Sequence, residues 1–136
     1  MAWPVRFGSM IKLTLTAVQG RLAICRLAAR DAVPGWASSG TFSSITRTAE
    51  ELSIVCQEEA VPRGVKADAG WLALRVAGPF DFSQVGVLAA LAVPLAGAGI
   101  PILAISTFDT DYLLVKAAAL QRAAEVLSAA GQTVLP

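Results

Sequence analysis

Two acidic residues, Asp109 and Asp111, are the clearest candidates for polar chemistry in this sequence. They are separated by one residue and follow an apolar segment, Pro101–Thr107. Side chains two positions apart in a strand lie on the same face of a sheet, so both carboxylates are expected at one end of it. Such a pair could hold the ammonium group of a small molecule. A metal site is not expected, because no further ligand cluster lies near in the sequence.

Catalytic groups are sparse along the 136 residues. The sequence contains no histidine, which excludes Ser-His-Asp and Cys-His chemistry as well as histidine metal ligands. The remaining reactive groups show no spacing of a nucleophile with its base; they are Asp81, Asp109, Asp111, Cys25, Cys56 and Tyr112. We therefore expect a protein that is not an enzyme and that needs no cofactor. Catalysis by some of these groups is the alternative.

The two cysteines both fall in segments predicted as strands. Cys25 and Cys56 are too few and too far apart for a disulfide scaffold or a zinc site. Free cysteine is usually buried, so two reduced, buried thiols in a cytoplasmic protein are the expected interpretation. A redox role or a disulfide between them is the alternative.

The composition limits the class of partner. Hydrophobic residues make up 55% of the chain and charged residues only 15%, with a formal net charge of +1. Disorder needs low hydrophobicity and high charge, so a folded chain is expected. Nucleic acid is not expected as a partner, because this charge supplies no cationic field for phosphates. The low charge predicts exposed apolar surface, which is typical of an interface.

One uncharged stretch is long enough to cross a bilayer. It runs from Phe82 to Phe108. Pro94 and Pro101 interrupt it, with glycines between them, so a helix followed by a buried strand explains the same residues. No apolar core of a signal peptide is evident near the N-terminus. We therefore expect no membrane segment and a cytoplasmic location.

The elements that must position these residues follow from the apolar pattern. Helices are predicted over Ser83–Ala98, with a serine cap, and over Ala117–Ala130, which stops at Gly131. Strands are predicted over Ile11–Thr16, Arg21–Leu27, Phe42–Thr48, Leu52–Cys56, Trp71–Ala77, Pro101–Thr107 and Tyr112–Lys116, with Thr133–Leu135 as a last edge strand. From residue 71 onward the order is therefore β-α-β-β-α-β.

The two halves of the chain also resemble each other. The segment 20–24 matches 70–74 at an offset of 50, and later segments match at an offset of 60. The residue pairs at the larger offset are Ile45 with Ile105, Thr46 with Ser106, Glu51 with Asp111, Leu52 with Tyr112, Ile54 with Leu114 and Val55 with Val115. The change of offset predicts that the first copy has a shortened helix. Chance similarity between strand-rich regions is the alternative.

Three segments resemble a known family. They are Gly78–Leu88 (GPFDFSQVGVL), Ala104–Val115 (AISTFDTDYLLV) and, in the first copy, Glu50–Cys56 (EELSIVC). Together they look like ACT domains, and more narrowly like the small ACT proteins related to the cytosolic arginine sensors and to the regulatory part of aspartokinase. The resemblance covers about residues 11 to 130.

The resemblance implies an α+β fold of two tandem ACT-like subdomains, each ferredoxin-like (βαββαβ), the first with a shortened helix. The expected division is an N-terminal extension over residues 1–10, a truncated first subdomain over 11–64 and a second subdomain over 65–136. The implied function is non-catalytic: a regulatory module that binds a free amino acid at the interface between ACT units. ACT units commonly join their sheets edge to edge or side by side, so the resemblance also implies a homodimer.

The same resemblance places the ligand. Backbone N–H groups at a helix N-terminus suit a carboxylate, and Gln84, Val85 and Gly86 are expected in the first helical turn. The other expected ligand-binding residues are Thr107, Phe108, Asp109 and Asp111, with Ser53 and Ile54 forming the opposite wall from the first copy.

Each site residue also has a purely structural interpretation. Gly86 could serve close packing of the helix, and Asp109 could be an ordinary turn residue. Asp111 could be a solvated edge carboxylate, and Phe108 could belong to the core.

The ligand's side chain is constrained by the residues that follow Gly86. Val87, Leu88, Ala89 and Ala90 are all apolar, so the helix offers no acid for the distal cation of arginine. A smaller or apolar amino acid fits these residues at least as well. The chain holds no output domain, so a separate effector protein is the expected partner. A structural ACT protein without a ligand, acting through a partner protein, is the alternative function.

Overall fold

The computed structural model describes residues 11–77 and 86–136. These residues form eight strands and two α-helices, in the order β1 (Thr14–Ala17), β2 (Leu22–Leu27), β3 (Ser44–Arg47), β4 (Leu52–Gln57), β5 (Lys66–Val76), α1 (Val87–Gly97), β6 (Leu103–Ser106), β7 (Asp111–Lys116), α2 (Leu120–Ala129) and β8 (Thr133–Leu135). Short 3-10 turns cover Gly35–Ser38, Glu58–Ala60 and Ala117–Ala119. The α+β class is confirmed.

The chain divides into two compact units. The N-terminal unit is Val18–Ala73, and the C-terminal unit combines the described residues up to Ala17 with Leu74–Pro136. The boundary expected from the sequence lay between residues 64 and 65, whereas this division falls within β5. The expected extension over residues 1–10 lies outside the described residues.

The N-terminal unit is a four-stranded antiparallel sheet in the order β3-β4-β2-β5. This is the strand order of a ferredoxin-like fold, with 3-10 turns in the places of its two helices. The shortened first helix expected from the sequence is therefore present as Gly35–Ser38. One face of the sheet carries the unit's core, formed by Ala23, Cys25, Ala37, Leu52, Ile54 and Cys56.

The C-terminal unit has the strand order β6-β7-β5-β1-β8, where β5 contributes its final residues. Strand β1 pairs antiparallel with β5, opposing Leu15 to Val76, and parallel with β8, opposing Leu15 to Val134. The sequence predicted β1 correctly as a strand but assigned it to the first subdomain. Its partners place it instead inside the βαββαβ unit formed by the second half of the chain.

The two helices differ in character. Helix α2 is amphipathic: it buries Ala123 and Leu127 and exposes Arg122, whose guanidinium donates to the carbonyl oxygen of Ala98 at 2.7 Å. Helix α1 is apolar on every side. It buries Leu91 and Leu95 in the core, and its outer surface is also apolar.

The start of α1 corrects one expectation. Gly86 has a φ of 84° and precedes the helix, which begins at Val87, so Gly86 is not in the first turn. Left-handed backbone at this position is what ends the helix on its N-terminal side. The predicted serine cap, Ser83, lies outside the described residues.

The repeat is visible in the structure with a register that differs by one residue. Strand β3 begins at Ser44 and β6 at Leu103, 59 positions later, and β4 and β7 begin at Leu52 and Asp111 with the same separation. The offset of 60 taken from the sequence is therefore wrong in these hairpins. Asp111 corresponds to Leu52 rather than to Glu51.

Candidate functional site

The β6–β7 hairpin of the C-terminal unit carries most of the predicted site. Its turn is fixed by two threonines: the Thr107 amide donates to the carbonyl oxygen of Thr110 at 2.7 Å, and the Thr110 amide donates to Thr107 Oγ1 at 3.2 Å. Thr110 is buried, and its hydroxyl donates to the carbonyl oxygen of Val76 at 2.6 Å. The turn is therefore held against the end of β5.

The turn presents Phe108 and Asp109 to solvent. Phe108 is 79% exposed, which excludes the interpretation that it belongs to the core of this unit. Asp109 is exposed and lies in the turn, while β7 begins only at Asp111. The expectation that the two aspartates share one face of a strand is therefore wrong, because the alternation of side chains holds only within a strand.

Asp111 is half-buried at the first position of β7. It opposes Ser106 of β6, whose hydroxyl donates to Asp111 Oδ1 at 2.5 Å. This bond orients the carboxylate. Within the described residues the other oxygen, Oδ2, has no hydrogen-bond partner, so it can accept from a ligand.

Gly86 lies at the N-terminus of α1, where the first helical amides have no partner inside the helix. A Cβ at this position would lie 3.2 Å from Cδ1 of Ile11, so close packing also favours glycine here. The structure thus shows close packing at Gly86, while its role in ligand binding stays a prediction. The neighbouring candidates Gln84 and Val85 lie outside the described residues.

The two candidates from the first copy lie in the N-terminal unit, on β4. Ile54 is fully buried and belongs to the core of that unit, so its side chain does not line an open surface. Ser53 is half-buried on the other face of the sheet, opposite Thr46 of β3 and Arg26 of β2. Of this pair only Ser53 presents a polar group.

Two further residues position the site, although the sequence analysis did not single them out. Ser106 orients the Asp111 carboxylate, and Thr110 anchors the turn to β5. In the sequence, Ser106 is a serine at the end of an apolar strand and Thr110 is a threonine in a turn. Both residue types are common at such places, so the sequence alone does not distinguish these two from ordinary turn residues.

Neither a metal-ligand cluster nor a membrane-spanning helix is present in the part of the chain that the structure describes. Over residues 11–77 and 86–136 no group of three or more Cys, Asp or Glu side chains is placed to hold a metal ion. Neither α1 nor α2, the helices of these residues, has the length and hydropathy needed to cross a membrane.

Comparison with known proteins places the chain in a family. A family model for the ACT domain matches residues 66–129, and a separate model for the N-terminal domain of a protein family matches residues 20–64. The crystal structure of protein Atu0741 from Agobacterium tumefaciens is 42% identical, covers 92% of this chain and 93% of its own, and superposes with a TM-score of 0.88. The chain contains an ACT domain.

Other relatives are less similar in sequence or match over only part of their length. The human protein CASTOR3P is 37% identical over an alignment of 87 positions that covers 54% of this chain and 53% of that protein, so the match spans about half the relative's length. The regulatory subunit of aspartate kinase from Thermus flavus covers 85% of this chain and 95% of its own, with a TM-score of 0.60. At 13% identity, this likeness shows only that the two proteins share a fold.

Proposed function

We propose that this ACT protein is a non-catalytic regulatory module that binds a free amino acid at an interface between ACT units, within one chain or across a homodimer. The observation that carries the proposal is the β6–β7 hairpin. Its rigid turn exposes an aromatic ring, Phe108, next to an oriented carboxylate, Asp111. Covering such a ring with a ligand or a partner would contribute favourable free energy to binding.

The chemistry of a free amino acid matches these groups. Asp111 Oδ2 accepts from the ligand's ammonium group, and Phe108 covers its side chain. The backbone N–H groups after Gly86 bind its carboxylate. Thr107 and Asp109 supply further polar groups from the same hairpin. Ser53 and Ile54 stay predictions from the sequence.

The ligand that we propose is small or apolar. The first helical residues are Val87 and Leu88, and no acid follows them within α1. A distal cation would therefore be buried without a partner, which is costly. This argument disfavours arginine and lysine as ligands.

The regulatory role rests on the family. The regulatory subunit of aspartate kinase has the same fold, and such modules act on other domains or proteins. A ligand can shift an equilibrium only by its difference in affinity for two arrangements. We propose that binding changes the arrangement of ACT units and that a separate effector protein in the cytoplasm responds.

A second function is favoured by one observation. Helix α1 exposes Leu88 at 37% and Val93 at 50%, although surface helices normally carry polar residues there. A structural ACT protein without a ligand, which acts by binding a partner protein through such a surface, would also explain exposed apolar side chains.

A thermal-shift panel of the twenty amino acids distinguishes the two functions. A ligand at about 100 times its Kd stabilises the folded state by about 2.7 kcal/mol. For a domain of this size that raises the Tm by about 10 °C. One hit, lost in Phe108→Ala, supports the amino-acid module. Silence across the panel at high ligand concentration contradicts it and favours the structural function.

A further inference from the structure

An open cavity of about 350 Å³, lined by several polar side chains, lies at one end of the N-terminal unit. It lies where the turn before β2, the loop before β3 and the 3-10 turn after β4 converge. The β3–β4 turn is at the opposite end of β4. The cavity belongs wholly to this unit and shares no residue with the ligand site proposed above. Its volume lies at the lower end of the range for small-molecule sites.

Two glycines shape the cavity around one side chain, Gln57. Gly20 has a φ of 100° and Gly40 a φ of 84°. A Cβ on Gly20 would lie 2.8 Å from Nε2 of Gln57, and a Cβ on Gly40 only 2.3 Å from Oε1. The positive φ favours glycine at both positions, and a Cβ at either would displace the Gln57 side chain. The backbone approaches Gln57 closely from two sides and holds its amide group in the cavity wall.

The polar groups of the wall are available. Within the described residues neither the Gln57 amide nor the Glu59 carboxylate has a hydrogen-bond or ion-pair partner. The Thr41 hydroxyl makes only a long bond, 3.4 Å, to the carbonyl oxygen of Gln19. Arg21, which follows the lining residue Gly20 in the sequence, is paired with Glu58 at 3.4 Å.

The charge of the wall determines the class of ligand. Glu59 is the charged side chain among the described lining residues, and no lysine or arginine lines the cavity. A carboxylate that accepts from an ammonium group makes a charge-assisted hydrogen bond, whereas an anion would meet repulsion. Gln57 and Thr41 can each both donate and accept, which suits a hydroxyl or amide group.

From this geometry we propose that the cavity is a second ligand site, which binds a small primary ammonium compound that also carries a neutral polar group. The ammonium group contacts Glu59, and the neutral group contacts the Gln57 amide and the Thr41 hydroxyl. This site is independent of the proposed amino-acid site, because it uses none of its residues.

The test uses ethanolamine hydrochloride, the simplest compound with both groups, titrated into the ¹⁵N-labelled full chain. We expect saturable chemical-shift changes at the backbone amides of Gly20 and Gly40 and at the side-chain amide of Gln57. Glu59→Gln keeps the shape of the side chain but removes its charge, and should weaken binding about tenfold. Glu125→Gln, on α2, is the matched control and should leave the Kd unchanged.

Three results would overturn the proposal. Ethanolamine could leave these resonances unmoved, which would mean that the cavity binds no such compound. Glu59→Gln could bind as tightly as the unaltered chain, which would remove the basis for an ammonium ligand. Sodium acetate could shift the same resonances where ethanolamine does not, which would assign an anion.

Thr41→Val gives a second check at an exposed position, where it should weaken binding while the rest of the spectrum keeps its peak positions.

Discussion

Single buried polar residues tie the C-terminal unit together. The Gln132 side chain is 4% exposed, and its Oε1 accepts from the Leu13 amide at 2.6 Å while its Nε2 donates to the Ile11 carbonyl oxygen at 3.1 Å. One amide thus fixes the backbone that leads into β1. The Thr110 hydroxyl does the same for the end of β5. Such bonds matter because a buried backbone group without a partner is costly.

Gln132→Leu should therefore destabilise the protein by about 2 kcal/mol, because it leaves a buried amide and a carbonyl without partners. Urea denaturation followed by circular dichroism measures the free energy of unfolding. Gln121→Leu is the matched control on the exposed side of α2 and should change stability by less than about 0.5 kcal/mol. Equal effects of the two substitutions would contradict the role of Gln132.

The buried thiols give a pH dependence. Burial, together with the neighbouring Cys56 and its hydrogen bond, raises the pKa of Cys25 from 9.0 to about 11. The folded state then holds the proton more tightly than the unfolded state. The corresponding stability is complete below pH 9 and decreases as the pH rises toward 11.

Cys25→Ala should remove this part of the decrease. We expect the free energy of unfolding of the unaltered protein to fall more steeply between pH 9 and 11 than that of the variant. Urea denaturation at a series of pH values measures both slopes, and every residue other than Cys25 is the same in the two proteins. Parallel curves for the two proteins would show that the thiol contributes nothing.

At the scale of elements, the sequence predicted each strand but not the pairing of β1. The alternation over Ile11–Thr16 identifies a strand, yet it does not say which neighbours the strand will have. Its position next to β8 depends on Gln132, which is 119 residues away from Leu13 in the chain. Strand β5 also begins earlier than predicted, at Lys66, because exposed polar residues at its start hide the apolar pattern.

The hairpins show why the repeat was misplaced by one residue. Short apolar segments match almost equally well at neighbouring offsets, whereas a shift by one exchanges the two faces of a strand. The turns decide the register. Thr48 and Thr107 both donate their amide to the carbonyl oxygen three residues later, at 2.9 and 2.7 Å, and they are 59 positions apart. An alignment of the two copies anchored on these threonines would have given the offset of 59.

The start of α1 supports a prediction with an internal control. Gly86→Ala should destabilise the protein by about 1–2 kcal/mol, because its φ is 84° and the new Cβ would meet Ile11. Gly97→Ala at the other end of α1 has no positive φ, and no atom lies within 4 Å of its Cβ position. It should be neutral or stabilise by up to about 1 kcal/mol. Thermal denaturation of both variants measures the difference, and a Gly86→Ala variant as stable as Gly97→Ala would contradict it.

At the scale of the whole molecule, composition and family resemblance predicted the fold class, but the candidate site only in part. Motif matching identified Asp111 and Phe108, which the structure places on one rigid hairpin. It also selected Ile54, whose side chain is fully buried in its own unit. A motif specifies positions along a strand, while the face that each side chain occupies depends on long-range pairing.

The measurement that tests the central claim most directly is titration calorimetry with the amino acid that stabilises the protein most in the thermal panel. The unaltered chain, Asp111→Asn and the control Glu125→Gln are compared. Asparagine keeps an oxygen for Ser106 but loses the charge that attracts an ammonium group. We expect Asp111→Asn to weaken binding at least about tenfold and Glu125→Gln to have no effect. Equal affinity in all three proteins, or no heat of binding with any amino acid, would contradict an amino-acid site at Asp111.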